Sequence, residues 1–235
     1  MDYRIVSIGA LSRHELWDRP RPVGTPHATT TLIRSGDKTI LVDPGLPAQA
    51  VVARLGERAG LTPDDITDVF LTCFRPAHRG GVSAFGAARW WVSEAEREFV
   101  GRALVGQFES IPEDAAEERE MLRSEIALLQ KFKPAPDKLA ERVDLFPLPG
   151  YSPGTAGLLL LDVSRTTLLA GDAVATSEHL ERGRVLRGAY DAEQAKDALS
   201  EAIEIADAII PGHDNVLLNP TRSGGPAMGA GVSFA

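Results

Sequence analysis

The six residues from Cys73 to His78 combine a thiol, a guanidinium and an imidazole in the run Cys-Phe-Arg-Pro-Ala-His. Cys73 is the single cysteine, which excludes an internal disulfide and favours a reducing compartment. Its thiol could supply a thiolate to a metal ion, or act as a nucleophile if Arg75 and His78 lower its pKa. A lone cysteine is also commonly a small buried apolar side chain, so these roles stay open.

Five short motifs place polar, glycine or proline residues directly after apolar runs. Each apolar run is typical of a buried strand, and the glycine or proline that follows predicts a break. One such motif alone is weak evidence for any particular fold, because a glycine beside an acidic residue is common. The motifs are Leu41-Val42-Asp43-Pro44-Gly45, Val69-Phe70-Leu71-Thr72 with residues 73–81, Leu148-Pro149-Gly150-Tyr151-Ser152-Pro153-Gly154, Leu169-Ala170-Gly171-Asp172-Ala173 and Ile210-Pro211-Gly212-His213.

Strands and helices that would position these motifs can be read from apolar periodicity. Helical spacing predicts a helix from Ala48 to Ala59 that Gly60 ends, and Asp191 is predicted to cap another helix. Runs rich in β-branched and apolar residues predict strands at 4–10, 29–33, 39–42, 69–72, 143–147, 156–163, 166–170 and 208–210. This order predicts two mixed sheets packed face to face with helices outside.

Residues 93–133 form a predicted helical insert within a single domain of residues 1–220. Ser93 and Glu96 match a capping box, and a second helix is predicted from Glu113 to Lys131 with one apolar and one acidic face. The remaining residues, 221–235, are rich in glycine, serine and alanine and are predicted to form a flexible tail.

Composition excludes several classes of partner. The 235 residues carry a formal net charge of -8, and the basic residues are interleaved with acids, which argues against nucleic acid and anionic membrane surfaces. No run of eighteen apolar residues exists, and the N-terminal apolar stretch is too short for a signal peptide. We therefore expect a cytoplasmic protein that acts on a small molecule.

In their order and spacing, the five motifs resemble the metallo-β-lactamase superfamily over about residues 29–217. The resemblance implies an α/β fold, a four-layer αββα sandwich of two mixed β-sheets flanked by helices. It also implies a metal site, because the family carries a His-x-His-x-Asp-His run, a further histidine after Pro-Gly, a bridging aspartate and a last histidine. These residues hold two divalent metals, often zinc, with a bridging hydroxide.

The chain resembles a divergent member with a degenerate motif. Three family ligands remain, His78, Asp172 and His213, and in the family all three serve the same metal. Two imidazoles and a carboxylate suit one divalent transition metal, zinc or alternatively iron or manganese. A metal-free pocket in which the three residues hydrogen-bond one another is the open alternative. The other four ligand positions are occupied by Cys73, Arg75, Ala77 and Tyr151.

The resemblance also implies roles around these ligands. Asp43 would lie behind the metal-binding loop and orient it by hydrogen bonds. Arg75 could replace a missing cation, either by pairing with Asp172 or by binding an anion, and it could equally point to solvent. Tyr151 could donate a hydrogen bond to a substrate oxygen or fill vacated space. We therefore treat Asp172, Arg75 and Tyr151 as candidate catalytic residues.

Two functions follow from these residues. The first is a hydrolase with at most one metal ion that acts on an ester, thioester or lactone with an anionic group. The second is a metal-free pseudoenzyme that binds a small anion or serves as an assembly module, with the helical insert as a lid or a homodimer face. Fold alone does not choose the substrate.

Overall fold

The computed structural model describes residues 1–17, 22, 24–219 and 221–222. Most of the predicted C-terminal tail, and part of the proline-rich segment before residue 24, lie outside the described residues. The part of the chain that is described forms two six-stranded sheets and flanking helices.

The first sheet is mixed and contains strands in the order of the chain. Its strands are β1 (Asp2–Ser7), β2 (Thr30–Ser35), β3 (Lys38–Val42), β4 (Asp68–Leu71), β5 (Arg89–Val92) and β6 (Lys133–Pro134). β1, β2 and β3 pair antiparallel, whereas β3, β4, β5 and β6 pair parallel. Parallel pairing requires a crossover between strands, and the helices provide these crossovers.

The second sheet is also mixed and runs from β7 at one edge to β12 at the other. Its strands are β7 (Lys138–Ala140), β8 (Val143–Pro147), β9 (Ala156–Leu161), β10 (Thr166–Gly171), β11 (Ala208–Pro211) and β12 (Leu217–Leu218). Only β10 and β11 pair in parallel, and the other neighbours are antiparallel.

The helices connect the strands and cover both outer faces of the sandwich. They are α1 (Ala48–Ala59), α2 (Pro76–Arg79), α3 (Glu94–Ser110), α4 (Ala116–Gln130), α5 (Ser177–Glu181) and α6 (Ala192–Ile205). Helices α3 and α4 occupy the predicted insert. Among the described helices, none combines the length and apolar composition needed to cross a membrane.

Alternation along the strands divides the core into three layers. In β3, Ile40 and Val42 face the space between the sheets, whereas Leu41 faces the outer helices, and in β4 Phe70 faces inward while Val69 faces outward. The outer face of the second sheet packs against α6 through a separate apolar cluster. Two sheets with apolar contacts on both faces form the four-layer αββα sandwich, so the predicted fold class is confirmed.

The helix boundaries follow from local signals. α1 spans the predicted residues, and Gly60 ends it in the left-handed conformation with φ 66°. The carboxylate of Asp191 accepts hydrogen bonds from the first amides of α6, as predicted. Of the two hydrogen bonds of the capping box predicted at α3, one is formed and the other is not. Ser93 accepts from the Glu96 amide, but the Glu96 carboxylate turns away to Phe74 and Ser152.

Candidate metal centre

Four polar segments follow the carboxyl ends of strands from both sheets. Asp43 follows β3 and Cys73 lies just after β4, and these strands are parallel. Asp172 follows β10 and His213 lies just after β11, the parallel pair of the second sheet. Because parallel strands bring their carboxyl ends to one edge, both pairs present their polar residues there.

The two sheets are in direct contact at this edge. The Ala156 amide donates to the Thr72 carbonyl at 3.0 Å, and the Thr29 amide donates to the Gly212 carbonyl at 2.7 Å. Gly171 adopts φ 53°, and a Cβ there would lie 2.4 Å from the Thr72 hydroxyl. Glycine therefore allows the segment that carries Asp172 to approach the first sheet.

His78 is fully buried at the centre of the site, between two carboxylates. Its Nδ1 lies 3.0 Å from Oδ2 of Asp43 and 3.1 Å from the Thr72 hydroxyl. Asp43 is itself held by the Thr72 amide at 2.9 Å and hydroxyl at 2.7 Å. The structure thus places the Asp43 carboxylate beside Nδ1 of His78, where its negative charge favours a proton on that nitrogen.

The other nitrogen of His78 is directed into the site. Nε2 lies 3.2 Å from Oδ2 of Asp172, yet it is buried and no hydrogen bond of acceptable geometry reaches it. A buried polar atom without a partner is costly, so such an atom calls for an explanation. This nitrogen could bind an ion once it loses its proton, because Nδ1 on the opposite side of the ring faces Asp43 and Thr72.

Asp172 is shared by both histidines. Its Oδ1 lies 3.0 Å from Nε2 of His213, whose Nδ1 is 3.0 Å from the His27 carbonyl oxygen. The rings of His78 and His213 are nearly perpendicular, with centroids 5.7 Å apart. The three family ligands predicted from the sequence therefore meet in one buried site.

Cys73 adds a fourth donor. Its Sγ lies 3.7 Å from Oδ2 of Asp172, and donor atoms of Cys73, His78 and Asp172 all lie within 4.8 Å of one another. Burial raises the pKa of the Cys73 thiol to about 12, which outweighs the lowering by His78. The metal-free protein therefore holds a protonated thiol at neutral pH, which does not favour the alternative in which Arg75 and His78 activate it.

The charges of the site are strongly coupled. Burial acts to lower the pKa of His78, but the carboxylates of Asp172 and Asp43 oppose burial, and this pKa lies above its usual value. Burial likewise raises the pKa of Asp172, and His78 and His213 reverse the effect and hold it well below its usual value. The site therefore favours an ionised carboxylate beside positive charge, from either a proton or a cation.

Arg75 and Tyr151, two further residues predicted for the site, contact each other. The Arg75 side chain is exposed, and its guanidinium carbon lies 4.6 Å from the centroid of the Tyr151 ring, which is itself buried. Within the described residues, Asp172 makes ion pairs with His78 and His213, and Arg75 makes a cation–π contact instead. Arg75 and Tyr151 thus pair with each other rather than with Asp172.

The donor atoms have the spacing that one metal ion requires. Bonds of about 2.1 Å in a tetrahedral arrangement place ligand atoms about 3.4 Å apart, and slightly farther apart when sulfur is one of them. The distances from Asp172 to His78 and to Cys73 are 3.2 and 3.7 Å. Nitrogen, oxygen and sulfur donors are also the set that zinc accepts. The residues present therefore fit one ion.

Several polar residues make contacts that the sequence did not predict. Glu96 binds Phe74 and Ser152, next to two candidate site residues, through contacts 22 and 56 positions apart. The His27 side chain bonds backbone carbonyls, and only its own carbonyl reaches the site, through His213. His179 pairs with Glu15 at 3.3 Å. No local sequence signal indicates these long-range contacts.

The sequence was compared with known families and structures. The family model described as the metallo-β-lactamase superfamily matches residues 23–213. The chain belongs to this superfamily. No curated protein matches the sequence. The predicted family is therefore confirmed by a match over most of the chain.

Solved structures of the metallo-β-lactamase fold are similar to most of the chain. A Thermotoga maritima protein, provisionally named a metallo-β-lactamase, has a TM-score of 0.66 and 19% identity, with 92% of this chain and 98% of that chain covered. AidC, a dizinc quorum-quenching lactonase, has a TM-score of 0.61 and 22% identity over 75% and 67%. A B. thuringiensis AiiA variant with N-decanoyl-L-homoserine at its active site has a TM-score of 0.63 and 22% identity. The match covers 90% of this chain and 92% of that chain. At identities of 19% to 22%, the similarity shows a shared fold and nothing about activity.

Proposed function

We propose that this metallo-β-lactamase superfamily protein is a hydrolase that uses one divalent metal ion, with zinc as the preferred ion and iron or manganese as alternatives. Its protein ligands are Cys73, His78 and Asp172, while His213 holds the second oxygen of Asp172. This set revises the expectation that His213 itself is a ligand. Three protein ligands leave a position for water, as in catalytic zinc sites.

One observation carries the proposal. The Nε2 atom of His78 is buried without a hydrogen bond and faces a carboxylate 3.2 Å away, while Asp43 holds the opposite nitrogen. A carboxylate behind a histidine and a free nitrogen in front of it is the arrangement that orients metal-binding imidazoles. When bound, the ion would supply a Lewis acid and an activated water molecule near neutral pH.

The residues of the chain divide the remaining tasks. Asp43 keeps the proton of His78 on Nδ1, and His213 fixes the orientation of Asp172. The exposed guanidinium of Arg75 and the hydroxyl of Tyr151 would bind an anionic group or a carbonyl oxygen of the substrate. The proposed substrate is a small ester, thioester or lactone with an anionic group. The lactonases among the structural neighbours support the ester and lactone classes.

Metal analysis of protein purified without chelator tests the proposal. We expect about one equivalent of a transition metal after reconstitution with zinc, iron or manganese, and substantial loss of this metal in His78→Ala and Asp172→Ala. A panel of aryl esters, thioesters and lactones should show turnover that chelation removes. Less than a tenth of an equivalent of metal, even after reconstitution, would contradict the proposal.

A metal-free anion-binding module is the second candidate. It is supported by the pairing of both histidines with Asp172, which satisfies that carboxylate without a metal, and by the exposed Arg75 guanidinium. Thermal unfolding separates the two candidates, because a ligand that binds only the folded state raises the melting temperature. Stabilisation by phosphate or acetate, together with indifference to zinc, manganese and chelator, would favour the module. A homodimer formed through α3 and α4 stays a prediction.

A further inference from the structure

The carboxylate of Glu96, in the first turn of α3, is buried and joins two segments of the site. The residue is only 1% exposed. Its Oε1 accepts a hydrogen bond from the Phe74 amide at 2.8 Å, and its Oε2 accepts one from the Ser152 hydroxyl. The Ser152 hydroxyl is in turn 2.8 Å from the hydroxyl of Thr155. A buried carboxylate is expensive unless such bonds satisfy it.

The two bonded segments both carry candidate site residues. Phe74 lies between Cys73 and Arg75 in the loop after β4, and Ser152 directly follows Tyr151. One side chain therefore restrains the loop that carries the thiol and the guanidinium as well as the turn that carries the phenol. The two segments are far apart in the sequence, and the buried carboxylate links them in addition to the bond from the Ala156 amide to the Thr72 carbonyl.

Close backbone contact makes this junction stiff. A Cβ at Gly154 would lie 1.9 Å from the Glu96 amide nitrogen, so the turn and the start of α3 are in direct contact. The Ser93 hydroxyl donates to the Gly154 carbonyl at 2.5 Å and accepts from the Glu96 amide at 3.1 Å. Since Ser93 alone caps the helix, the Glu96 carboxylate is not needed for the cap.

We propose that Glu96 is a positioning residue, which holds the Cys73–Arg75 loop against the Tyr151 turn so that the donors and the substrate-binding groups keep their mutual geometry. This inference rests on the proposed function of those groups. Its structural content is independent of a metal, because every bond that carries it is formed within the chain.

The accessibility of Cys73 in chelated protein provides the test. Glu96→Ala leaves the Phe74 amide buried without an acceptor, so the loop should open more often. We expect the alkylation rate of the Cys73 thiol by iodoacetamide to rise at least tenfold. Glu96→Gln should restore nearly the original rate, because the amide oxygen can accept from Phe74 and the amide nitrogen can donate to Ser152.

Leu104→Ala is the matched control. Leu104 lies farther along α3 and is partly buried against the outer core. This substitution should destabilise the same helix without changing the alkylation rate beyond what the loss of global stability explains. Equal alkylation rates in Glu96→Ala and Leu104→Ala, compared at equal unfolding free energy, would overturn the inference. Failure of Glu96→Gln to restore the rate would overturn it as well, because the hydrogen bonds to Phe74 and Ser152 would then not explain the low accessibility of Cys73.

Ser152→Ala keeps the inference testable if Glu96→Ala does not fold. It removes the bond from the Tyr151 turn to Glu96 and, within that turn, the contact between the Ser152 and Thr155 hydroxyls. Amide hydrogen exchange should therefore increase in residues 148–155 and stay unchanged in helix α4. Unchanged exchange in 148–155 would overturn the inference. All these measurements use chelated protein. Absence of metal binding in the parent protein would therefore remove the proposed function and leave the positioning result standing.

Discussion

Oδ2 of Asp43 and Nδ1 of His78 lie 3.0 Å apart, and the two side chains are 3% and 0% exposed. The pair joins the end of β3 to the short helix α2, which follows β4. Asp43 adopts φ 48°, a left-handed conformation that is uncommon for residues other than glycine. A strained backbone that is fixed by bonds to Thr72 indicates that the carboxylate direction matters to the site.

Asp43→Asn should weaken metal binding ten- to a hundredfold. The asparagine amide would donate to Nδ1 of His78 and move the proton to Nε2, which would then be unable to bind an ion. Competitive titration of zinc against a chelating dye measures the effect. Asp68→Asn is the control, because Asp68 is a buried carboxylate that bonds Trp91 and Arg89 away from the site. Parent-like affinity in Asp43→Asn would show that Asp43 does not orient His78.

Metal binding should release about one more proton from the parent protein than from Cys73→Ala at pH 7. The pKa of the buried Cys73 thiol is about 12 in the metal-free protein, so the proton is present before binding and must leave when sulfur binds the ion. Calorimetric titration in buffers of different ionisation enthalpy counts the protons. Equal proton release from both proteins would exclude Cys73 as a ligand.

Gly45→Ala should destabilise the protein by about 3 kcal/mol or prevent folding, because overpacking against backbone cannot relax easily. A Cβ at Gly45 would lie 2.2 Å from the Ala77 carbonyl oxygen. Gly106→Ala is the opposite case: this glycine is in α3 with open space around its Cβ position, and the substitution should stabilise by about 1 kcal/mol. Chemical denaturation measures both, and a Gly45→Ala protein as stable as the parent would contradict the close packing.

His179→Gln should make stability less dependent on pH between about pH 5 and 7. Burial lowers the pKa of His179 from 6.5, and the hydrogen bond to Glu15 only partly opposes this shift. The unfolded chain therefore binds more protons than the folded protein below about pH 6.5. The contribution of His179 to the free energy of unfolding is complete above that pH and is lost as the pH falls. Urea unfolding of both chelated proteins across this range provides the measurement. Equal slopes of unfolding free energy against pH would rule out this contribution.

The sequence predicts those parts of the fold that have local signals. α1 and β8 have the predicted bounds, because helical spacing with a closing glycine and an apolar run between turns are both local patterns. β5, β6, β7 and β12 were missed. β6 has two residues and contains Pro134, so its strand conformation comes from pairing with β5 rather than from its own residues.

The site also contains residues that local motifs predict and residues that only long-range contacts bring in. Family-like motifs place His78, Asp172 and His213 at strand ends, and the structure brings them together. Cys73 stands at a family ligand position and was predicted as one possible metal ligand, and the structure places its Sγ 3.7 Å from Asp172. The sequence left its role open because a thiol in place of an imidazole is equally typical of a buried apolar side chain. Glu96 could not be found, since its partners lie 22 and 56 positions away and its own position matches a helix cap.

The strands of one sheet come from residues 2–134 and those of the other from residues 138–218, and each contributes donors to the centre. Cys73 and His78 belong to the earlier stretch, whereas Asp172 and the His213 that holds it belong to the later one. Neither stretch holds a complete donor set, so the centre exists only when both are docked. An ion bound there would cross-link the two sheets. Its affinity would therefore depend on the free energy with which the two sheets dock.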